Sequence, residues 1–258
     1  MANKEVFNDI ISDYEIARPG YTFELFKDIV EYAGIKNDAK ILEIGSGPGQ
    51  ATDYFVKNHY SITGLELGEK QVEFLLNKYS KYKNFKAVCT SFENYTCDQE
   101  TYDLIFSATA FHWIKPETGY PKAYGLLKSG GVMAVFWHMS SIVEPKTEML
   151  DHIRNIYRKH APELDTFISE NEAEGLHNRR ISEIQTNHLF SEPITKIYRW
   201  NEEYSAQRYL KLMNSFSDFH EISEEKQQTI LTNIADYIDS NGGVIIIPQE
   251  VRLYMAKK

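Results

Sequence analysis

The sequence predicts an α/β fold, a doubly wound sheet with helices on both faces, and three observations carry that expectation. Short apolar runs alternate with helix-competent segments through the first half of the chain. The run Lys40–Ile44 enters a turn with glycine at alternate positions, Gly45, Gly47 and Gly49, followed by a helix-competent stretch from Gln50 to Lys57. The next apolar run ends in an acid, Glu66, at the spacing a ligand-holding carboxylate takes in such folds.

In chain order, Pro19 and Gly20 end any helix begun at Val6 and bend the chain. Phe23, Phe26, Ile29, Val30 and Ala33 recur at helical spacing, with Thr22 as N-cap and Gly34 as terminator. Ile41, Leu42 and Ile44 form the first strand. Glycines after it let the backbone take positive φ and let a ligand approach main-chain atoms without Cβ interference. Uncovered amides at the following helix start favour an electron-rich group. The pattern departs from a dinucleotide fingerprint: its third glycine would fall where Gln50 stands, and Pro48 removes an amide that a diphosphate would use. No Gly-Lys-Ser/Thr follows, so a P-loop is excluded. An adenosine without phosphate, tethered by its ribose, remains. Glu66, closing the strand Tyr60–Glu66, has the position of the acceptor for both ribose hydroxyls.

With Glu43-x-Gly45-x-Gly47-x-Gly49 and Glu66 together, the chain resembles class I S-adenosylmethionine-dependent methyltransferases. Its His112–Trp113 pair resembles those of small-molecule members, including trans-aconitate methyltransferases. The resemblance implies S-adenosyl-L-methionine as cofactor and a Rossmann-like sheet of seven strands, the last antiparallel. It makes Tyr14…Arg18-Pro19-x-Tyr21 a segment folded over the cofactor, so residues 1–34 are expected as a lid and helix. Tyr14 and Arg18 would cover the methionine end, Arg18 through the methionine carboxylate, and Tyr21 would join the substrate pocket. Glu43 would support the turn or the methionine ammonium, or bond only neighbouring amides. Leu67 is assigned to the cofactor beside Glu66.

Val72, Leu75, Leu76 and Tyr79 mark the next helix, and Phe85–Cys89 the third strand, with Cys89 expected as a small core residue. Just beyond, the resemblance places adenine contacts at Ser91 and Phe92, although Thr90 and Ser91 replace the acid common there. The fourth strand, Tyr102–Ser107, leads to a segment at the switch between first and fourth strands. Ala108 there is assigned to the cofactor, and His112 and Trp113 to the substrate pocket. Leu126-Leu-Lys-Ser129-Gly130-Gly131 resembles the family's Leu-Lys-Pro-Gly-Gly turn and feeds the fifth strand, Val132–Trp137. Charged, helix-compatible sequence from 138 to 190, with a looser stretch at Asn178-Arg179-Arg180, reads as an insertion forming a substrate cap. A strand at Ile194–Trp200, helices around Ala206–Phe216 and Glu224–Ser240, a turn at Asn241-Gly242-Gly243 and a last strand from Val244 complete a single expected domain over 1–258.

The implied reaction is displacement of a sulfonium methyl by a nucleophile, in which alignment is the main contribution. His112 is the candidate catalytic residue. It would serve as general base for an alcohol, phenol or amine. A carboxylate needs no base; His112 would then only orient it, with Arg154, Arg158, Arg179 or Arg180 binding the charge. The expected acceptor is a small molecule, with carboxylate or hydroxyl oxygen as first choice. Methylation of tRNA or protein is the alternative enzyme reading. A non-catalytic cofactor-binding sensor or partner subunit is the alternative of another class. An NAD-linked oxidoreductase comes last.

A net charge of −9 disfavours a general grip on nucleic-acid backbones. Two cysteines, Cys89 and Cys97, indicate no disulfide framework and fit a reducing cytoplasm. Met1-Ala-Asn-Lys-Glu lacks the apolar core of a signal peptide, and Val132–Trp137 is too short an apolar run to span a bilayer. The eight histidines show no i,i+4 pairing, so no metal site is expected.

Overall fold

Strand β1 (Lys40–Ile44) is buried at Ile41, Leu42, Glu43 and Ile44, the pattern of a parallel strand covered on both faces. A computed structural model describes residues 17–139, 147–164, 169–216 and 218–258. The expected lid residue Tyr14 and any helix from Val6 lie outside them.

Six further strands are β2 (Ser61–Glu66), β3 (Phe85–Cys89), β4 (Tyr102–Ala108), β5 (Leu127–His138), β6 (Ile194–Ser205) and β7 (Val244–Lys257). They form one sheet in the order β3-β2-β1-β4-β5-β7-β6. β1 to β5 pair in parallel, and β7 runs antiparallel to β5, with Val132 opposite Lys257 and His138 opposite Val251. This is the expected Rossmann-like order. The strand sequence reverses between β1 and β4, which makes a crevice at their carboxyl ends the natural ligand position.

Helix α1 (Phe23–Ala33) begins and ends as its sequence predicts: Thr22 accepts from the Leu25 amide, and Gly34 takes a left-handed C-cap at φ +61°. α2 (Thr52–Lys57) starts two residues later than expected, because Gly49 and its neighbours are still in the turn. α3 (Glu69–Lys78) leads to β3, and α4 (Pro116–Leu126), which the apolar pattern did not mark, leads to β5. β5 itself begins at Leu127, not Val132. Ser129-Gly130-Gly131 is an irregularity within it, where pairing jumps from Tyr102↔Leu127 to Leu104↔Val132. Cys89 is corrected: it is exposed, not core, because β3 is the sheet's edge and Cys89 its carboxyl-terminal residue.

The chain divides into two compact units. The first, Gly20–His138, Glu174–Tyr198 and Val251–Lys258, holds β1 to β5 and a core including Leu25, Ile29, Leu42, Phe55, Phe106 and Phe136. The second takes Met139–Ala173 and Arg199–Glu250, together with residues 17–19. In it α5 (Glu148–His160), α7 (Ala206–Asn214) and α8 (Glu224–Ser240) bury Ile153, Tyr157, Leu212, Met213, Ile230, Ile234 and Ile238. The stretch expected as a cap, 138–190, is therefore shared between the units. α6 (Glu170–Ile184) makes a continuous helix of the stretch around Asn178-Arg179-Arg180 that looked loose in sequence. Among the described residues no helix is long and apolar enough to cross a membrane.

Candidate active site

The turn after β1 is fixed from three sides. Gly45 and Ser46 amides both donate to Leu65 O, at 3.0 and 3.1 Å. The Tyr79 hydroxyl, arriving from the end of α3, lies 2.8 Å from Gly49 O and 2.6 Å from Asp53 Oδ1, its one proton shared between these two acceptors, and Lys78 Nζ donates to Pro48 O at 2.9 Å. All three glycines have positive φ, +73°, +52° and +87°. A Cβ at Gly45 would stand 2.5 Å from Ala110 Cβ, and one at Gly49 would collide with the Tyr79 side chain. Nothing lies within 4 Å of a Cβ at Gly47. Two glycines thus serve packing, and the middle one leaves main chain approachable.

Glu66 is clamped by backbone. Its Oε2 accepts from Gly47 N at 2.8 Å and its Oε1 from Leu67 N at 2.7 Å. An ionised carboxylate has about four lone-pair sites, so each oxygen keeps capacity for one more donor. Beside it Leu67 is half exposed. Glu43, under the turn, is fully buried; Thr52 Oγ1 donates to its Oε2 at 2.5 Å, and burial pushes the carboxyl up to about 8. The Ser46 hydroxyl also acts on this carboxyl and, with Thr52, opposes the rise; beyond that mutual approach, Glu43 Oε1 and Ser46 Oγ have no hydrogen-bond partner among the described residues. An orphaned buried acceptor of this kind asks for a donor.

At the end of β4 the chain is strained. Thr109, a β-branched residue, has φ +54° and is held by its amide to Phe136 O at 2.8 Å. Its hydroxyl lies 3.2 Å from the Tyr21 hydroxyl and accepts from His138 N at 3.4 Å, while the Tyr21 ring packs against Phe136 and His138. The kink throws the chain into a 3₁₀ turn, Phe111–Trp113. Phe111 is buried and anchors it; His112 and Trp113 are exposed. Trp137 Nε1, from β5, donates to His112 Nδ1 at 3.1 Å. Arg180 of α6 stacks over the Trp137 ring at 4.2 Å and pairs with Glu183 at 2.8 Å. The His112 ring is crowded on the Trp137 side although the residue presents surface to solvent. That burial, with Arg180 second and Glu183 opposing, pulls its pKa down to about 4.

Residues 42–135 match the family model described as methyltransferase domain. The chain is 26% identical over 227 residues to an uncharacterised methyltransferase-like protein of Schizosaccharomyces pombe, covering 88% of this chain and 83% of that one. The chain carries a methyltransferase domain and is an S-adenosylmethionine-dependent methyltransferase. The methyltransferase is also 39% identical over 80 residues to the ribosomal RNA small subunit methyltransferase A of Borreliella afzelii, covering 31% of this chain and 28% of that one. In fold it is similar to Haemonchus contortus phosphoethanolamine N-methyltransferase 2, solved with phosphomonomethylethanolamine and S-adenosylhomocysteine (TM-score 0.56, 14% identity, 97% of this chain and 57% of that one).

The methyltransferase's cofactor is S-adenosyl-L-methionine, and the residues present fit it: the orphaned Glu43 oxygen suits an ammonium, and the open face of Gly47 adjoins a carboxylate poised for hydroxyls. Glu43, Gly45, Gly47, Gly49, Glu66 and Leu67 meet at the ends of β1 and β2, and Ala108, Tyr21, His112 and Trp113 lie on or around the end of β4. Ser91 sits in a turn beyond β3, its hydroxyl accepting from Asn94 N. Phe92 is buried against Phe111, so its ring is an inner support, not an open wall. Arg18 lies in the second unit, donating to Ser215 Oγ at 2.8 Å and Ser215 O at 3.1 Å and stacked over Phe216. Arg179 and Arg180 both pair with Glu183. Sequence reasoning missed the parts played by Thr109 and Trp137. Trp137 had one available signal, its place at the end of the strand beside β4; the strain at Thr109 had none.

Proposed function

We propose that the chain transfers the methyl group to an oxygen of a small carboxylate- or hydroxyl-bearing molecule, in the manner of the enzymes resembling trans-aconitate methyltransferases. The observation that carries this reading is the His112–Trp113 turn, exposed at the end of β4, where the switch between β1 and β4 puts ligands. S-adenosylmethionine when bound supplies an electrophilic methyl on a positive sulfur. The chain's residues bind and orient: Glu66 takes the ribose hydroxyls, Leu67 and Ser91 flank the adenine with Phe92 behind, and Glu43 takes the ammonium. Gly47 and Ala108 leave room for the ligand, and Gly45 and Gly49 hold the turn that presents it. Tyr21, His112 and Trp113 face the acceptor. Two exposed free cysteines suit a reducing compartment such as the cytoplasm.

The small-molecule reading is supported by the acceptor solved with the Haemonchus enzyme. The likeness to a ribosomal RNA methyltransferase favours RNA instead, but it spans less than a third of the chain, and the chain's charge is −9. Calorimetry with S-adenosylmethionine, S-adenosylhomocysteine and NAD, followed by turnover on small acids, phenols and bulk tRNA, tests the proposal. Binding of the sulfur nucleosides with turnover of a small acid or alcohol is expected. Turnover of tRNA alone, or binding without turnover of any acceptor, would replace it with the RNA or the sensor reading.

A further inference from the structure

Five non-glycine residues in the described chain have positive φ, His59, Glu100, Thr109, Asn187 and His188, and of these only Thr109 is β-branched. For that class of side chain the left-handed conformation is a genuine outlier, whereas glycine would take φ +54° without steric cost. Thr109 directly follows Ala108, the last residue of β4 paired with β5, opposite Phe136. Three hydrogen bonds hold it there. Its amide donates to Phe136 O at 2.8 Å. Its hydroxyl accepts from His138 N at 3.4 Å and lies 3.2 Å from the Tyr21 hydroxyl. A hydroxyl has one proton and two acceptor positions, so Thr109 Oγ1 can serve both neighbours at once. The Tyr21 ring is fixed in turn, edge-on to Phe136 at 4.9 Å and to Phe26 at 6.1 Å.

The residue after this kink touches both halves of the site. Ala110 Cβ fills the space that a side chain at Gly45 would need, 2.5 Å from such a Cβ. Ala110 O accepts from Trp113 N at 3.1 Å and so begins the turn Phe111–Trp113. The φ of Thr109 therefore sets where the His112–Trp113 turn stands relative to the glycine turn. The glycine turn has ties of its own, from the Gly45 and Ser46 amides to Leu65 O. A strained residue persists only where its surroundings over-determine it, and two of the three ties here are made by the threonine hydroxyl. We propose that Tyr21 and Thr109 are a positioning pair: the Tyr21 hydroxyl holds Thr109 in its left-handed conformation, and Thr109 in turn aims the His112–Trp113 turn at the cofactor. This rests on the reading that the methyl acceptor sits beside His112 and Trp113, and it adds to Tyr21 a role exerted through Thr109. Alignment is the main contribution to such a transfer, and a misplacement of about 1 Å can slow a reaction about a hundredfold.

The test has one readout that does not depend on turnover. Fluorine NMR of the protein labelled with fluorotryptophan resolves Trp113, Trp137 and Trp200, with the Trp113 signal assigned by its loss in Trp113→Phe. Tyr21→Phe, which removes a single hydroxyl, is expected to shift or split the Trp113 signal. Thr109→Val, which keeps the shape but not the hydroxyl, should do the same, and Thr109→Ser should keep the wild-type signal. Calorimetric affinity for S-adenosylhomocysteine should stay within about twofold in all three, because the glycine turn is held separately. With the small acid or alcohol that the screen above turns over, kcat is expected to fall about tenfold in Tyr21→Phe and Thr109→Val and to recover in Thr109→Ser. Both losses run through one bond, so the double variant Tyr21→Phe/Thr109→Val should be no slower than Thr109→Val alone. An unchanged Trp113 signal in either single variant, losses that multiply in the double variant, or a matching loss of S-adenosylhomocysteine binding overturns the pair. If the wild type binds S-adenosylhomocysteine and the variants match it in every respect, this inference falls alone; if the wild type does not bind it, the methyl-transfer reading falls first.

Discussion

A carboxyl buried beneath a glycine turn changes with pH in a direction that can be worked out. Glu43 has a folded pKa raised to about 8, from 4.5, with burial as the first cause and Thr52 opposing. A carboxyl raised in the folded state contributes its full relative stability below about pH 4.5, and that contribution is lost as pH rises toward 8. Glu43→Gln keeps an acceptor for Thr52 and removes the ionisation. Its melting temperature should match the wild type near pH 4.5 and exceed it at pH 8, by the equivalent of a few kcal/mol. If Glu43 takes the ammonium, the same variant should bind S-adenosylhomocysteine more weakly at pH 8, read by calorimetry. Glu66→Gln provides the second residue-scale prediction. One oxygen of the wild-type clamp becomes an NH2 that faces Gly47 N or Leu67 N, so cofactor affinity should fall by about 1–3 kcal/mol with little loss of fold. Unchanged calorimetric affinity would remove Glu66 from the site.

The β1–α2 turn separates two uses of glycine. Gly45→Ala meets Ala110 and a positive φ together, so it should destabilise the protein by roughly 1–3 kcal/mol in urea unfolding. Gly47→Ala has the strain of φ +52° but open space around its Cβ, so it should cost only about 1 kcal/mol and lose cofactor binding out of proportion. Equal stability losses in the two variants would contradict that division. At the other end of the element scale, Thr22→Ala removes the N-cap of α1 and should cost about 1 kcal/mol. The same elements show how far sequence reading reached. α1, β3 and α8 have local start and stop signals, and their limits agree with those expected. α4 has proline at its start and again at Pro121, with a weak apolar stripe, so pattern alone did not reveal it.

The whole molecule has two compact cores, and only one carries the glycine turn. Ile234 is fully buried in the helical core of the second unit, so Ile234→Ala should lose about 2–5 kcal/mol of stability, measured by denaturant unfolding. At a net charge of −9, bulk tRNA should show no mobility shift with the protein at about 0.15 M salt. A shift would return the RNA reading to first place.

By itself the sequence determined the winding of the sheet, the glycine turn and the acid at the end of β2, because each depends on residues close in the chain: a period, a φ sign, a fixed spacing. Glu66 was legible for that reason, whereas its clamping by Gly47 and Leu67 amides needed the folded turn. Cys89 looked like a core residue until β3 proved to be the edge, since strand order is not written within a strand. Only tertiary structure brought Trp137 to His112 across 25 residues of chain. A hydrogen bond between neighbouring strand ends depends on register and twist, and no local run of residues encodes either one alone.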